Sequence, residues 1–361
     1  MRNDTFETSE LPAFGLSGGM LGGLVLSLAV ALPLAAAPQS VAEIAGYTGA
    51  DRQSVLEEGA KKERSVLIYT SATQQGPMFE AFNKKYPYVK VETWRGGSPE
   101  IARRMLEEYK AQHYVVDAID TTTGAMHALR DAKAILPFAS PELAVIKPDA
   151  IEPGRHWALN YESYLSLGYN TKEVSEQDVP RTYEGLLNPR WRGKMAVPGS
   201  SSLINWLGAV MVDLGNVEGE KYLRKLGEQK LPLHRIDGRA VANMIVTGES
   251  PLSPVIYNSH MANSKSQGAS VGWLPIGAVF AQIGSVAIAT KAAHPHAAML
   301  YIDFILGRDG QKMMQDAGYA SPRTDMNNPD RPERVLYLSE RPNYAAEYES
   351  WAQLSAQVFG K

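Results

Sequence analysis

Two segments rich in hydroxyl side chains have the residue types and positions that suit an anion site. Ser71-Ala72-Thr73 lies between the end of a predicted strand and the start of a predicted helix. Ligands of open α/β sheets bind beyond the carboxyl ends of the strands, where hydroxyl and free backbone N–H groups suit an anion or a polar ligand. Simple helix capping by the serine or threonine explains this first segment equally well. Trp94, at the end of the next predicted strand, is expected at the same sheet edge.

The second segment, Pro198-Gly199-Ser200-Ser201-Ser202, repeats the arrangement after a later strand. Its glycine lets the backbone approach a ligand closely, and three hydroxyls exceed what one helix cap uses. We therefore predict that Ser200, Ser201 and Ser202 bind the ligand.

Arg239, Tyr257 and Asn258 form a third candidate group. Arg239 follows Asp237-Gly238, a turn signal, so it is expected at a loop tip or at the start of a helix. Its guanidinium could clamp a carboxylate or a phosphate there. The alternative for Arg239 is a solvated surface position.

Residues for catalysis or metal binding do not form a recognisable set. The histidines are scattered, and the close pair His294-Pro295-His296 opens a predicted helix, where capping or solvation accounts for it better than a metal. No HExxH, GxSxG, GxGxxG or GxxxxGK[ST] motif occurs. The chain has no cysteine, which excludes disulfides, thiolate zinc sites, iron–sulfur clusters and a cysteine nucleophile. We expect neither enzyme activity nor a cofactor.

The elements that must position these residues alternate between strands and helices. An apolar run over 65–69, an alternating pattern over 89–94 and a run over 115–121 predict three strands separated by helices. This β-α-β-α-β order predicts a parallel sheet in an α/β fold. Further strands are predicted over 164–169, 194–197, 255–257 and 285–290, and helices over 54–62, 78–85, 100–112, 202–213, 296–306 and 309–317.

The composition is that of an ordinary globular protein. The 361 residues are 44% hydrophobic and 21% charged, and the length suffices for two domains. Lysine and arginine total 36 against 39 acidic residues, a net charge of −3. Because there is no basic excess to neutralise a nucleic-acid backbone, we expect no nucleic-acid partner.

The N-terminal residues predict export. No charged residue occurs from Leu11 to Ala42, and residues 16–34 form an apolar segment followed by alanines. This is the pattern of a secretory signal peptide. We predict cleavage after Ser40-Val41-Ala42, so that residues 1–42 are the signal peptide and the mature chain starts near Glu43. Three acidic residues against one arginine precede the apolar segment, contrary to the usual positive charge, so retention as an anchor stays open.

Several short motifs occur in a characteristic order along the chain. A segment over 56–111 is followed by Leu167-Gly168-Tyr169-Asn170-Thr171, Trp191-Arg192-Gly193-Lys194, Thr247-Gly248-Glu249 and Ala317-Gly318-Tyr319. In this order they resemble the type 2 periplasmic solute-binding proteins of ATP-binding-cassette (ABC) importers. The similarity is to the extracellular solute-binding family 1 group, which includes ferric-iron, thiamine, polyamine and phosphonate binders.

The resemblance implies two α/β lobes, each a mixed, mostly parallel sheet flanked by helices, with the ligand between them. Residues 43–165 and 285–361 would form lobe 1, and residues 166–284 lobe 2. It implies a monomeric periplasmic protein that captures a small solute and delivers it to an ABC permease in the inner membrane. Because the candidate residues offer hydroxyls, amides and an arginine, we predict an organic or phosphorylated anion. An enzyme or a ligand sensor on the same scaffold is the alternative.

Ferric iron, free or chelated, is the alternative solute. The ferric binders of the resembled group typically use two adjacent tyrosines after the x-G-E turn, but the stretch over 255–260 contains only Tyr257. At Thr73, where a ligand histidine would fall, the side chain does not bind metal. Fe(III) needs several anionic oxygens, so we predict no metal site, with Tyr257 as a ligand if iron does bind.

Overall fold

The computed structural model describes residues 40–72, 76–329 and 331–360. This part of the chain forms thirteen α-helices and eleven β-strands. The helices are α1 (Val41–Ala45), α2 (Arg52–Glu63), α3 (Gly76–Lys85), α4 (Ser98–Lys110), α5 (Thr123–Asp131), α6 (Tyr183–Leu186), α7 (Ser201–Leu214), α8 (Asn216–Gly227), α9 (Gly238–Thr247), α10 (Asn258–Ser266), α11 (Pro295–Leu306), α12 (Arg308–Asp316) and α13 (Tyr344–Phe359). The strands are β1 (Ser65–Thr70), β2 (Lys90–Arg95), β3 (Ala118–Thr122), β4 (Ile135–Leu136), β5 (Ala158–Asn170), β6 (Val197–Pro198), β7 (Leu233–His234), β8 (Leu252–Tyr257), β9 (Val271–Leu274), β10 (Val279–Ala289) and β11 (Val335–Leu336).

Most of the predicted signal peptide, residues 1–39, lies outside the described residues. The predicted cleavage point after Ala42 falls within α1, which Ser40 caps by accepting a hydrogen bond from the Glu43 N–H at 3.2 Å. Cleavage there stays a prediction. Within the described ranges, no helix has both the length and the apolar character that crossing a bilayer requires.

One mixed sheet carries most of the strands, in the order β2-β1-β3-β10-β5-β8. The strands β1, β2 and β3 are parallel, which confirms the α/β arrangement predicted for the first part of the chain. β10 and β5 then join this parallel group to β8 through antiparallel pairs. Two shorter parallel strands, β6 and β7, form a second sheet, and a bridge from Met195 to Leu252 connects this part of the chain to β8.

The central strands β5 and β10 are longer than predicted. β5 begins at Ala158 rather than at residue 164, and β10 begins at Val279 rather than at residue 285. Polar residues interrupt the apolar pattern of β5, but their side chains are buried and bonded. Asn160 donates to Asp120 Oδ1 at 3.0 Å, and Ser163 donates to Asn258 Oδ1 at 3.2 Å. The strand predicted over 194–197 is also shorter, and only Val197–Pro198 is extended and paired.

The hydrophobic residues divide into two main cores. The first core takes its residues from 44–164 and 279–320. The second takes most of its residues from 165–280, together with Leu338, Trp351, Leu354 and Phe359. The division supports two lobes with β5 and β10 passing between them, although the lobe boundaries themselves stay a prediction. The last helix, predicted as part of lobe 1, packs in the second core.

The contact between α13 and α7 explains this placement. α7 is apolar on almost every side because the sheet lies against one face and α13 against another. The Trp351 ring lies directly over Gly208, where a Cβ atom would come within 2.4 Å of the ring. Only glycine allows this approach, so α13 is fixed on the second core.

Candidate functional site

The ends of two strands face each other across the middle of the sheet. Gly284 of β10 pairs with Thr122 at the end of β3 and with Tyr161 of β5. Further along β5, Leu165 pairs with Tyr257 at the end of β8, which runs in the opposite direction to β3. The carboxyl ends of β3 and β8 therefore point toward each other. They are separated by the stretch of β5 from Tyr161 to Leu165, about 13 Å at the usual rise of a strand. We call this space the strand-end gap.

The first predicted segment lies on the β3 side of this gap. The Ser71 N–H donates to the Asp120 carbonyl at 3.0 Å, and its hydroxyl accepts from Thr121 Oγ1 at 3.0 Å. Ala72 is buried, and its N–H donates to Thr70 Oγ1 at 3.1 Å. Ser71 and Ala72 are thus fixed to the ends of β1 and β3. Thr73 lies outside the described residues.

Trp94 is held in place by neighbouring side chains of the first core. Its ring lies 5.1 Å from the Tyr69 ring, and the Arg104 guanidinium stacks 4.3 Å from its centre. Arg104 belongs to α4 and also bonds Glu108 of the same helix at 2.7 Å. These contacts account for the position of Trp94 without a ligand.

The serine segment lies on the opposite side, at the start of α7. Ser200 is the N-cap residue by backbone geometry, but its side chain makes no capping bond. Its hydroxyl instead lies 2.7 Å from the Ser202 hydroxyl. Ser202 is buried and Ser201 is exposed. The first turn of this 14-residue helix, its positive dipole end, therefore has no side-chain cap from Ser200.

Arg239 follows the neighbouring strand and starts α9, as the turn signal predicted. Asp237 caps this helix by accepting from the Ala240 N–H at 2.9 Å. The half-buried Arg239 donates from Nη2 to Asn263 Oδ1 at 3.2 Å. Because β7 pairs with β6 in parallel, Arg239 and the serine segment follow strands that end at one edge.

His260 lies beside this arginine and is kept neutral. Burial, together with the positive charge of Arg239, lowers the pKa of His260 to about 4. Its Nδ1 is buried and has no hydrogen-bond partner among the described residues. Its ring packs edge-on against Tyr257 at 5.6 Å.

Asn258 lies at the strand-end gap, but its side chain forms hydrogen bonds within the protein. Its Oδ1 accepts from the Tyr164 N–H at 2.8 Å and from the Ser163 hydroxyl. Its Nδ2 donates to the Gly318 carbonyl at 2.8 Å. These bonds occupy the amide and connect α10 to β5 and to the loop before Ala320.

Tyr257, a predicted site residue, belongs to a group of tyrosines that could not be recognised as a group from the sequence. We call this group the tyrosine cluster: Tyr161, Tyr257, Tyr319, Tyr344 and Tyr348. The Tyr161 and Tyr319 rings are 4.6 Å apart. Burial raises the pKa of Tyr257, and its neighbours Tyr344, Tyr348 and Tyr319 raise it further. The five residues come from distant segments, and an excess of 17 tyrosines over 8 phenylalanines is the only signal for them in the sequence.

Other polar groups and cavities lie away from these residues. His294 pairs with Asp117 at 2.9 Å, and His296 pairs with Glu63 at 2.6 Å. In the described part of the chain, no three His, Asp or Glu side chains gather closely enough to hold a metal ion. A cavity of about 600 Å³ lies against the first core beside Tyr47 and Arg52, and none of the predicted ligand residues lines it.

Known proteins match this chain in sequence and in fold. A family model described as "Bacterial extracellular solute-binding protein" matches residues 121–347. The Fe(3+)-binding periplasmic protein of Serratia marcescens is 20% identical over 269 residues, which cover 72% of this chain and 78% of the relative.

Two solved structures show the same architecture. Iron-bound HitA from Pseudomonas aeruginosa superposes with a TM-score of 0.64 at 19% identity, covering 81% of this chain and 99% of HitA. The periplasmic binding protein AfuA from Actinobacillus pleuropneumoniae, with fructose-6-phosphate bound, gives 0.62 at 18% identity, covering 82% of this chain and 98% of AfuA. At these identities the likeness shows the fold.

Proposed function

This chain belongs to the bacterial extracellular solute-binding protein family, and we propose that it captures a small organic or phosphorylated anion and passes it to the permease of an ABC importer. Its fold is that of the type 2 periplasmic binding proteins, as the sequence predicted. The proposal includes export to the periplasm, action as a monomer, and binding without chemical conversion of the solute.

The observation that carries the anion assignment is the start of α7. Ser200 occupies the capping position without capping, so the hydroxyls and the first-turn N–H groups can serve a ligand. Arg239 adds a positive charge at the same edge, and among the described residues it forms no ion pair with a carboxylate. Hydroxyls, amides and one guanidinium form the set of donors that recognises a carboxylate or a phosphate ester.

The two cores suggest how binding would be coupled to closure. We propose that lobe 2 includes α13 as well as most of residues 165–280, since their hydrophobic side chains share the second core. Ser71 would then contact the solute from lobe 1, and the serine segment from lobe 2. A solute that bonds both lobes stabilises the closed form over the open one.

A screen for thermal stabilisation tests this function. The mature protein is melted with phosphate esters, dicarboxylates, polyamines, thiamine and ferric citrate, and native mass spectrometry identifies any solute that co-purifies. A solute at 100 times its Kd stabilises the folded state by about 2.7 kcal/mol, a rise of roughly 4 °C in Tm for a mature chain of this length. Stabilisation by anions that is lost in Arg239→Ala supports the proposal. Stabilisation by polyamines or thiamine alone contradicts it.

Ferric iron or a ferric chelate is the second candidate, favoured by the tyrosine cluster. Phenolate oxygens are hard ligands suited to Fe(III), and Tyr161, Tyr257 and Tyr319 lie together at the gap. Burial, however, raises the pKa values of Tyr161 and Tyr257, so the free protein holds them as neutral phenols. Titration with ferric citrate or ferric nitrilotriacetate decides the matter. A visible tyrosinate-to-iron band that disappears in Tyr257→Phe would establish iron, and its absence would favour the organic anion.

A further inference from the structure

The C-terminal helix brings two tyrosines to the strand-end gap. The Tyr344 hydroxyl donates to Asn205 Oδ1 at 2.8 Å, and the Tyr344 and Tyr348 rings are 5.7 Å apart. Tyr257, Tyr344 and Tyr348 all pack against the second core. Tyr257 ends β8 at the gap, and α7, on which α13 packs, also contacts β8.

These tyrosines adjoin the start of α7. Asn205 follows Ser201 by four residues, so the two lie one turn apart on the same side of the helix. Because Asn205 binds the Tyr344 hydroxyl, a solute at the first turn of α7 would have the tyrosine rings as its next neighbours.

Some of these tyrosine hydroxyls can still form hydrogen bonds with a ligand. Tyr257, Tyr344 and Tyr348 are each only partly buried. Among the described residues, the hydroxyls of Tyr257 and Tyr348 form no hydrogen bond, whereas the Tyr344 hydroxyl does. Partly exposed tyrosine rings with free hydroxyls offer an apolar face and a polar end, a combination used to recognise flat ligands.

We propose that Tyr344 and Tyr348 of α13, together with Tyr257, form an aromatic wall of the solute site, and that the solute is an anion bearing a planar, unsaturated group. This rests on the proposed function, because the anionic end is assigned to the start of α7. The planar group packs on the rings while the anion binds the helix N-terminus.

Calorimetry with two matched probes tests the wall. Phenyl phosphate and glycerol 3-phosphate carry the same phosphate monoester and differ in the attached group. We expect the wild-type protein to bind phenyl phosphate about tenfold more tightly. Tyr348→Ala and Tyr344→Ala should each reduce this preference about three- to tenfold, the range of one stacked aromatic pair. Affinity for glycerol 3-phosphate should change little.

Two further variants separate recognition from general effects on folding. Tyr348→Phe keeps the ring and should keep the preference. Tyr114→Ala removes an exposed tyrosine that packs on Tyr109 in the first lobe and should also leave it unchanged. Equal wild-type affinity for both probes, or an undiminished preference in both alanine variants, overturns the aromatic wall alone. Binding of neither probe by the wild-type protein overturns the anion assignment together with the wall.

Discussion

Replacing Ser201 by alanine separates ligand binding from helix capping at the start of α7. Ser201 is exposed, and within the described residues its side chain makes no hydrogen bond. Exposed substitutions of this kind change stability by less than about 0.5 kcal/mol. A hydrogen bond to a charged ligand group contributes about 1.5–3 kcal/mol, and about 1.4 kcal/mol is a tenfold change in affinity. We therefore expect Ser201→Ala to weaken anion binding at least tenfold while the Tm of the free protein stays unchanged.

Thr182 provides the matched control. It caps α6 by accepting a hydrogen bond from the Gly185 N–H at 3.2 Å. Thr182→Ala should cost about 1 kcal/mol of stability, the usual value of a lost cap, and leave affinity unchanged.

Calorimetric titration and thermal melts are run on both variants, with the anion that gives the largest stabilisation in the screen. If Ser201→Ala keeps wild-type affinity, the Ser201 hydroxyl does not bind the anion, whatever the change in Tm, and the anion site lies elsewhere.

Three further variants test the assignments around the site and the core. Asn258→Ala should lower the free energy of unfolding in urea by about 2–4 kcal/mol, because the buried Tyr164 N–H and the partly buried Gly318 carbonyl lose their partner; unchanged stability with weakened binding would instead make it a ligand residue. The pKa of His260 is about 4 when folded against an ordinary 6.5, so stability is complete above pH 6.5 and falls by up to about 3 kcal/mol as the pH drops to 4. His260→Leu should remove this part of the pH dependence, and identical pH profiles would contradict the burial of a neutral imidazole. Arg52→Met should cost about 3–5 kcal/mol, since it leaves the buried Asp303 carboxylate without its partner, and a Tm equal to wild type would show that the pair is not formed in solution.

The first three strands could be predicted from sequence because they are short, either apolar or alternating, and separated by helices. Buried runs such as the one over 65–69 form strands when helices cover both faces of a parallel sheet. The same logic placed the serine segment at the start of a helix and Arg239 after a turn. Each of these inferences used residues within about ten positions of one another, where local patterns carry the information.

The full length of the central strands β5 and β10 and the tyrosine cluster could not be predicted in this way. β5 contains Asn160, Glu162 and Ser163, which look exposed in sequence but are buried, each with a hydrogen bond to a distant residue. The cluster depends on α13 packing on α7, which follows from the fit of Trp351 over Gly208. That fit joins positions more than 140 residues apart, and no local pattern signals it.

The arrangement around Gly284 suggests how a solute contact on one side of the strand-end gap would change the position of the other side. The Tyr161 ring lies against Gly284, where a Cβ atom would come within 2.0 Å of it, and the register of β5 against β10 shifts directly after this pair. Such a bulge bends a strand at a fixed place. Under the proposed function, Tyr161 therefore lies where the connecting strands bend and also in the tyrosine cluster. A solute packed on that cluster would stabilise one bend of β5 and β10 over another. Its binding energy would thereby stabilise the closed arrangement of the lobes.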